Sequence, residues 1–261
     1  MNRTVFPDNL KTCISERKPI VGTFLKNTAH EQIEVLGQSG LDLAVLDAEH
    51  ASFDRRTLDA CLLASRAANM PMLVRVPAMD PAAILQALDM GATGVLVPHV
   101  RNLADAQELA RISHYGPGGR GFAGTTRAAG YGQKGITKHL SDTAKRTVVI
   151  GQIEDIEALD QLDELFAVEG IDGYLIGRVD LTVALGETSP QSPKVDEAVA
   201  RICAHARGKS KALGMFISDL SEAPRWMAQG MSFFLTASDH DFVFKGAIDL
   251  REKFNFALEK L

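Results

Sequence analysis

Two carboxylates and an imidazole stand together at Asp47-Ala48-Glu49-His50, directly after the apolar run Leu43 to Leu46. A strand covered on both faces reads as such a run, so the polar cluster falls where a strand leaves the core. Asp47 and His50 are three residues apart on that turn. A carboxylate there can orient and charge-stabilise an imidazole, the arrangement a general base needs. The same residues would also suit a helix start, where acids meet the positive end of the dipole.

Other apolar runs end in polar residues too. Arg75 lies near the end of Met72 to Val76, Glu154 follows Thr147 to Ile153, and Asp219 follows Gly214 to Ile217. Asp180 lies in Gly177-Arg178-Val179-Asp180-Leu181, just after Gly173 to Ile176. Glu154 and Asp180 thus come from successive runs. Two carboxylates with open positions suit a hard divalent cation such as Mg²⁺ or Mn²⁺, which takes oxygen ligands and keeps exchangeable waters. Either could instead cap the helix that follows. The planar fork of Arg75 pairs with a carboxylate or an oxyanion, or with a neighbour inside the ring of strand ends.

These residues converge only if the runs form one parallel sheet with a common C-terminal edge. The chain predicts this. Strands are expected at Pro19 to Phe24, Leu41 to Leu46, Met72 to Val76, Gly94 to Val97, Thr147 to Ile153, Gly173 to Ile176, Gly214 to Ile217 and Phe233 to Thr236. Helices are expected between them. Asp54 to Ala68 places Leu58, Cys61, Leu62 and Ser65 on one face. Pro81 opens a helix where proline is tolerated, Asn102 caps another, and a last helix fills much of Phe242 to Leu261. Eight βα units without a break in composition predict one (β/α)8 barrel, an α/β fold, as a single domain over residues 1–261. An open doubly wound sheet is the alternative, but no GxGxxG follows the first strand. Tyr115 to Gly132 is a long irregular stretch, and such loops in compact domains are usually functional or disordered.

Composition bounds the rest. With 261 residues, 46% hydrophobic, the chain is long enough for a large core and close to the roughly 250 typical of such a barrel. The net charge of -5 comes with no basic stripe for nucleic acid. No apolar run reaches the ~20 residues of a membrane helix, and Met1 to Lys11 lacks the apolar core of a signal peptide. Cys13, Cys61 and Cys203 are far apart and read as reduced thiols of a cytoplasmic protein. Cys61 is expected in the core, and His99 is a candidate to line the mouth. His30, His114, His139, His205 and His240 read as surface or packing residues.

The segments DAEH (Asp47 to His50), LVRVP (Leu73 to Pro77), LDMGATGVLVP (Leu88 to Pro98), RGF (Arg120 to Phe122), QIE (Gln152 to Glu154) and G-x-x-DL (Gly177 to Leu181) resemble the HpcH/HpaI family of metal-dependent class II pyruvate aldolases. Each motif is weak alone; their order and spacing together are specific. The resemblance implies a barrel of the phosphoenolpyruvate/pyruvate-binding type, with Glu154 and Asp180 as ligands of Mg²⁺, Mn²⁺ or Co²⁺. It also implies backbone N–H groups around Val179 and Asp180, at a helix start, holding the pyruvate carboxylate, and Gln152 beside the metal. Arg75 would stabilise the enolate oxygen, and His50, oriented by Asp47, would transfer protons. Asp89 would reach a neighbouring subunit's site, and Arg120 would lie near the aldehyde. The implied assembly is a homo-oligomer, a hexamer built as a trimer of dimers.

Arg178 and Val179 depart from the family's usual Pro and Ala. The added cation could recruit an acidic aldehyde or pair outward with a carboxylate. The expected activity is reversible cleavage of a 4-hydroxy-2-oxo acid to pyruvate and an aldehyde. Two competing readings are an acyl-CoA lyase similar to the citrate lyase β-subunit and a catalytically silent barrel that binds a ligand. The first would want a basic surface for the nucleotide, and none is evident. The second would have no need of Glu154, Asp180, Arg75 and His50 together.

Overall fold

In the computed structural model, which describes residues 4–259, eight parallel strands close into a barrel in sequence order. They are β1 (Ile20–Leu25), β2 (Leu43–Asp47), β3 (Met72–Arg75), β4 (Gly94–Val97), β5 (Val148–Ile153), β6 (Gly173–Ile176), β7 (Ala212–Phe216) and β8 (Phe233–Ser238). Each lies within a few residues of its expected position. β8 returns to pair with β1, with a register shift between Gly22 and Phe24. Side chains alternate between the two faces of a strand. Leu43, Val45, Leu73, Leu96, Ile150 and Leu175 therefore point inward and fill the barrel as one apolar cluster. The interior is tight: a Cβ on Gly94 would come within 2.1 Å of the Val148 carbonyl oxygen, so only glycine fits there.

The surrounding helices are α1 (Leu10–Ser15), α2 (Glu31–Gly37), α3 (Arg55–Ala67), α4 (Pro81–Asp89), α5 (Leu103–Ser113) and α6 (Ile136–Arg146). Then come α7 (Ile156–Leu159), α8 (Leu162–Ala167), α9 (Arg178–Ala184), α10 (Pro193–Ala206), a 3-10 turn (Leu220–Glu222), α11 (Ala223–Met227) and α12 (Asp239–Leu258). Their starts carry ordinary signals. Asp54 and Thr57 form a capping box on α3, Asp80 caps α4 ahead of Pro81, and Asn102 caps α5. Two helices were not expected, α1 and α6, and a third, α9, was expected only as a helix start around Val179 and Asp180. α1 is short, and its Leu10, Cys13 and Ile14 join the inner cluster. α6 closes the long loop, and α9 forms on the segment that carries Asp180. Between β5 and β6 the chain forms two short helices, α7 and α8, separated at Asp160 and Gln161.

α12 is unlike the other helices. Asp239 is its one buried residue, while Val243 (65% exposed), Phe244 (67%), Leu250 (70%) and Phe256 (59%) face outward. Cys13, Cys61 and Cys203 are all free and buried, and burial pushes the thiols of Cys61 and Cys203 up to about 11. Among the described residues no helix is long and apolar enough to cross a membrane.

Candidate active site

The inward positions of three strands turn polar at their C-terminal ends. In β2, Leu43 and Val45 are followed by Asp47; in β3, Leu73 is followed by Arg75; in β5, Ile150 is followed by Gln152, with Glu154 just beyond. The barrel's apolar layers thus give way to a polar one at the mouth. A cavity of about 290 Å³ opens there, lined among others by Lys26, His50, Arg75, Gln152, Val179 and Asp180.

Asp47 is fully buried and pairs with Arg75, its partner in the β2–β3 register. Arg75 Nη2 lies 2.8 Å from Oδ2 and Nε donates to Oδ1 at 2.9 Å. The guanidinium rests on the Phe24 ring, 4.6 Å from its centroid. Burial pushes the Asp47 carboxyl up, but the Arg75 hydrogen bond and charge, the His50 amide and Lys26 outweigh it and hold it below the ordinary carboxylate range.

The expected contact between Asp47 and the His50 ring is corrected. Asp47 accepts a hydrogen bond from the His50 backbone N–H at 3.2 Å, and both of its oxygens are turned to Arg75. The carboxylate near the imidazole is Glu49, whose Oε2 lies 3.7 Å from His50 Nε2 and 3.2 Å from Arg75 Nε. Three-residue spacing favoured Asp47, but that spacing brings its carboxylate to the amide at the turn. Glu49 was not singled out from sequence, although it stands in the same segment.

Glu154 is buried at the end of β5. Its Oε1 accepts the His99 backbone N–H at 2.8 Å, and the Gln152 side-chain amide donates to Oε2. Gly177 lets β6 approach: a Cβ there would come within 2.8 Å of Glu154 Oε2. Burial pushes the Glu154 carboxyl above its usual value; His99 pulls it back, and the nearby Asp180 charge raises it again. Asp180 is the third residue of α9 and opens onto the cavity. Two carboxylates that repel across a partly buried gap, with oxygen the donor type, fit a hard divalent cation.

His99, a candidate for the mouth, has a left-handed conformation (φ 56°) and is not among the residues lining the cavity. Its ring Nδ1 sits 3.0 Å from Asp155 Oδ2 and 3.4 Å from Glu154 Oε1. These three side chains present ligand atoms within 4.8 Å of one another, a second way for Glu154 to share a cation.

Arg120 and Asp219 depart from expectation, whereas Asp89 and Arg178 do not. Asp89 and Arg120 pair with each other under the long loop, with Arg120 4.6 Å from the Tyr115 ring centroid. Neither lines the mouth cavity of this chain. Asp219 does not converge on the mouth; it caps the 3-10 turn, accepting from the Ser221 amide at 2.8 Å and hydroxyl at 2.7 Å. Arg178 turns its guanidinium outward to Glu222, at 2.6 and 3.0 Å, the outward pairing weighed from sequence.

The family model described as HpcH/HpaI aldolase/citrate lyase matches residues 21–245. The chain is 32% identical over 241 residues to a 5-keto-4-deoxy-D-glucarate aldolase of Shigella dysenteriae serotype 1, covering 92% of this chain and 93% of that enzyme. An HpcH/HpaI aldolase/citrate lyase family protein from Burkholderia cenocepacia J2315 superposes with a TM-score of 0.89 at 28% identity, over 95% of this chain and 99% of that one. An HpcH/HpaI aldolase from Desulfitobacterium hafniense DCB-2 gives 0.84 at 26% identity, over 93% and 96%.

Proposed function

The chain belongs to the HpcH/HpaI aldolase/citrate lyase family, and from that premise we propose that this aldolase reversibly cleaves a 4-hydroxy-2-oxo acid into pyruvate and an aldehyde. The observation that carries the reading is the pair of carboxylates, Glu154 and Asp180, near enough for the charge of one to raise the other, with Gln152 bonded to Glu154. A divalent cation held there, Mg²⁺, Mn²⁺ or Co²⁺, would polarise the keto group of the substrate. The remaining work falls to the chain. Backbone N–H groups of Val179 and Asp180, in the first turn of α9, hold the substrate carboxylate. Arg75, its Nε and Nη2 held by Asp47 and Glu49, offers its remaining N–H groups to the enolate oxygen. His50 takes the proton from the 4-hydroxyl; the C3–C4 bond breaks, the aldehyde leaves, and the electron pair remains on the three-carbon enolate. A proton returned to C3 gives pyruvate. The keto diacid named for the Shigella relative, 5-keto-4-deoxy-D-glucarate, is the first substrate to try.

The deciding experiment separates this route from a lysine Schiff base. Lys26 lines the cavity, but its Nζ lies 3.8 Å from Asp47 Oδ2, in an ion pair. A chelator is expected to abolish turnover, with activity returning on addition of Mg²⁺, Mn²⁺ or Co²⁺. Borohydride with pyruvate is expected to leave the protein active. A trapped adduct on Lys26, or turnover that resists chelation, would overturn the metal route.

The same reading includes assembly as a homo-oligomer, a trimer of dimers, with Asp89 supplied across an interface. Two features support it: the outward apolar row of α12, and the position of Asp89 in an outer groove with exposed Leu63 and Tyr131. Light scattering should give a multiple of 28.2 kDa, and Phe244→Glu with Val243→Glu should reduce that mass. A fully active wild-type monomer would refute the assembly. We also take the chain as one cytoplasmic barrel domain; its closed sheet and free, buried cysteines support this.

A further inference from the structure

We propose that the pair formed by buried Arg178 and half-buried Glu222, seated on Trp226, is a positioning clamp that sets the affinity of the mouth for its divalent cation and for the substrate carboxylate. The proposal rests on the metal site given above.

Arg178 is the first residue of α9 and is 3% exposed, although it lies two positions before the exposed Asp180. Its guanidinium is bidentate to Glu222, with Nη1 2.6 Å from Oε2 and Nη2 3.0 Å from Oε1. The Trp226 indole N–H donates to the same Oε2 at 3.3 Å, and the guanidinium carbon lies 5.8 Å from the indole ring centroid. Trp226 is fully buried. Within α9, the Thr182 hydroxyl donates to the Arg178 carbonyl at 2.6 Å, and the Leu181 amide to the Gly177 carbonyl at 2.9 Å. The clamp therefore joins two separate loops. One follows β6 and carries Val179 and Asp180; the other follows β7 and holds Glu222 and Trp226.

The need for such a device follows from the turn itself. Gly177 is required so that β6 can pass Glu154, and glycine leaves the backbone free to wander. Val179 and Asp180 come immediately after it and are exposed. Nothing else named in this segment ties the start of α9 to a neighbouring loop through a charge-assisted, two-point contact. Such a fork fixes direction as well as distance. Partners that orient ligands in this way typically change metal affinity 10–100-fold when lost. Arg178 borders the mouth cavity, but its guanidinium is committed to Glu222, so its loss should weaken binding and leave the chemical step close to normal.

The test measures Mn²⁺ affinity by calorimetry in the absence of substrate, together with KM for substrate and kcat at saturating metal. Arg178→Ala and Glu222→Gln are expected to raise the Mn²⁺ Kd and KM by about 10–100-fold, with kcat within a few-fold of wild type. Arg178→Lys keeps the charge, loses the fork and should fall between. Arg225→Ala is the control. Arg225 stacks on the other side of the cluster, 4.4 Å from the Trp226 ring centroid, and pairs with Asp196 at 2.7 Å. Its loss should lower Tm without moving Kd or KM. Glu222→Gln and Arg178→Lys carry the test if the alanine variant does not fold. Wild-type Kd and KM in folded clamp variants, while Asp180→Ala loses Mn²⁺, would overturn the clamp alone. Undiminished Mn²⁺ binding in Asp180→Ala would overturn the metal site on which it rests.

Discussion

Alanine in place of Glu154 or Asp180 is expected to abolish metal-dependent turnover while the barrel remains folded. A bound cation is worth several kcal/mol of charge stabilisation in a reaction of this kind. Glu154 and Asp180 are the two carboxylates assigned to it at the mouth, so either loss leaves that pair with a single carboxylate. The two variants should differ in stability. Asp180 is exposed on α9, so its removal costs the fold little. Glu154 is buried and accepts from the His99 amide and the Gln152 side chain. Its removal strands those donors, each at about 1–3 kcal/mol. Glu154→Gln preserves the volume and separates the two effects. Turnover is read with and without added Mg²⁺, and folding by far-UV circular dichroism. Full activity in a metal-stripped Glu154→Ala/Asp180→Ala protein would end the assignment.

Loss of the His50 imidazole should slow C–C cleavage by roughly 10²–10⁴-fold, the usual scale of general acid–base catalysis, with pyruvate still bound. His50 lines the cavity and is not one of the two carboxylates assigned to the cation. Affinity for pyruvate and for metal should therefore survive in His50→Ala, and the defect should fall on the chemical step. Single-turnover cleavage measures that step, and competition with pyruvate measures binding. Glu49→Gln gives a second reading of the same centre. Glu49 faces both the His50 ring and Arg75, so this variant should lose rate as well, through two partners. Cleavage at the wild-type rate in His50→Ala would remove it from the chemistry.

The barrel was legible because its strands are buried on both faces and so read as short apolar runs bounded by polar turns. Gly94 to Val97 and Gly173 to Ile176 are found at their expected bounds. α9 did not show in the residue pattern of Gly177-Arg178-Val179-Asp180; its start was legible only through the family resemblance, and the contact of Arg178 with Glu222 joins residues distant in sequence. α1 is too short to show a period, and its place is set by the barrel end it plugs. At the site, residue types pointed to the mouth, but pairings did not. Asp47 was assigned to His50, and only the register of β2 against β3 reveals that Arg75 claims it. Asp219 likewise read as a strand-end carboxylate, yet the nearby Ser221 captures it as a cap. Sequence spacing specifies neighbours along the chain; a parallel sheet decides neighbours across it.

The three buried cysteines have a practical consequence. They sit in α1, α3 and α10, one at the end of the barrel and two in its outer layer. Thiol reagents attack the thiolate, and burial suppresses that form at Cys61 and Cys203. Alkylation must therefore wait for a local or global opening that wets each sulfur. The sites act as three built-in clocks, and their labelling rates under native conditions report how often separate parts of the barrel come apart.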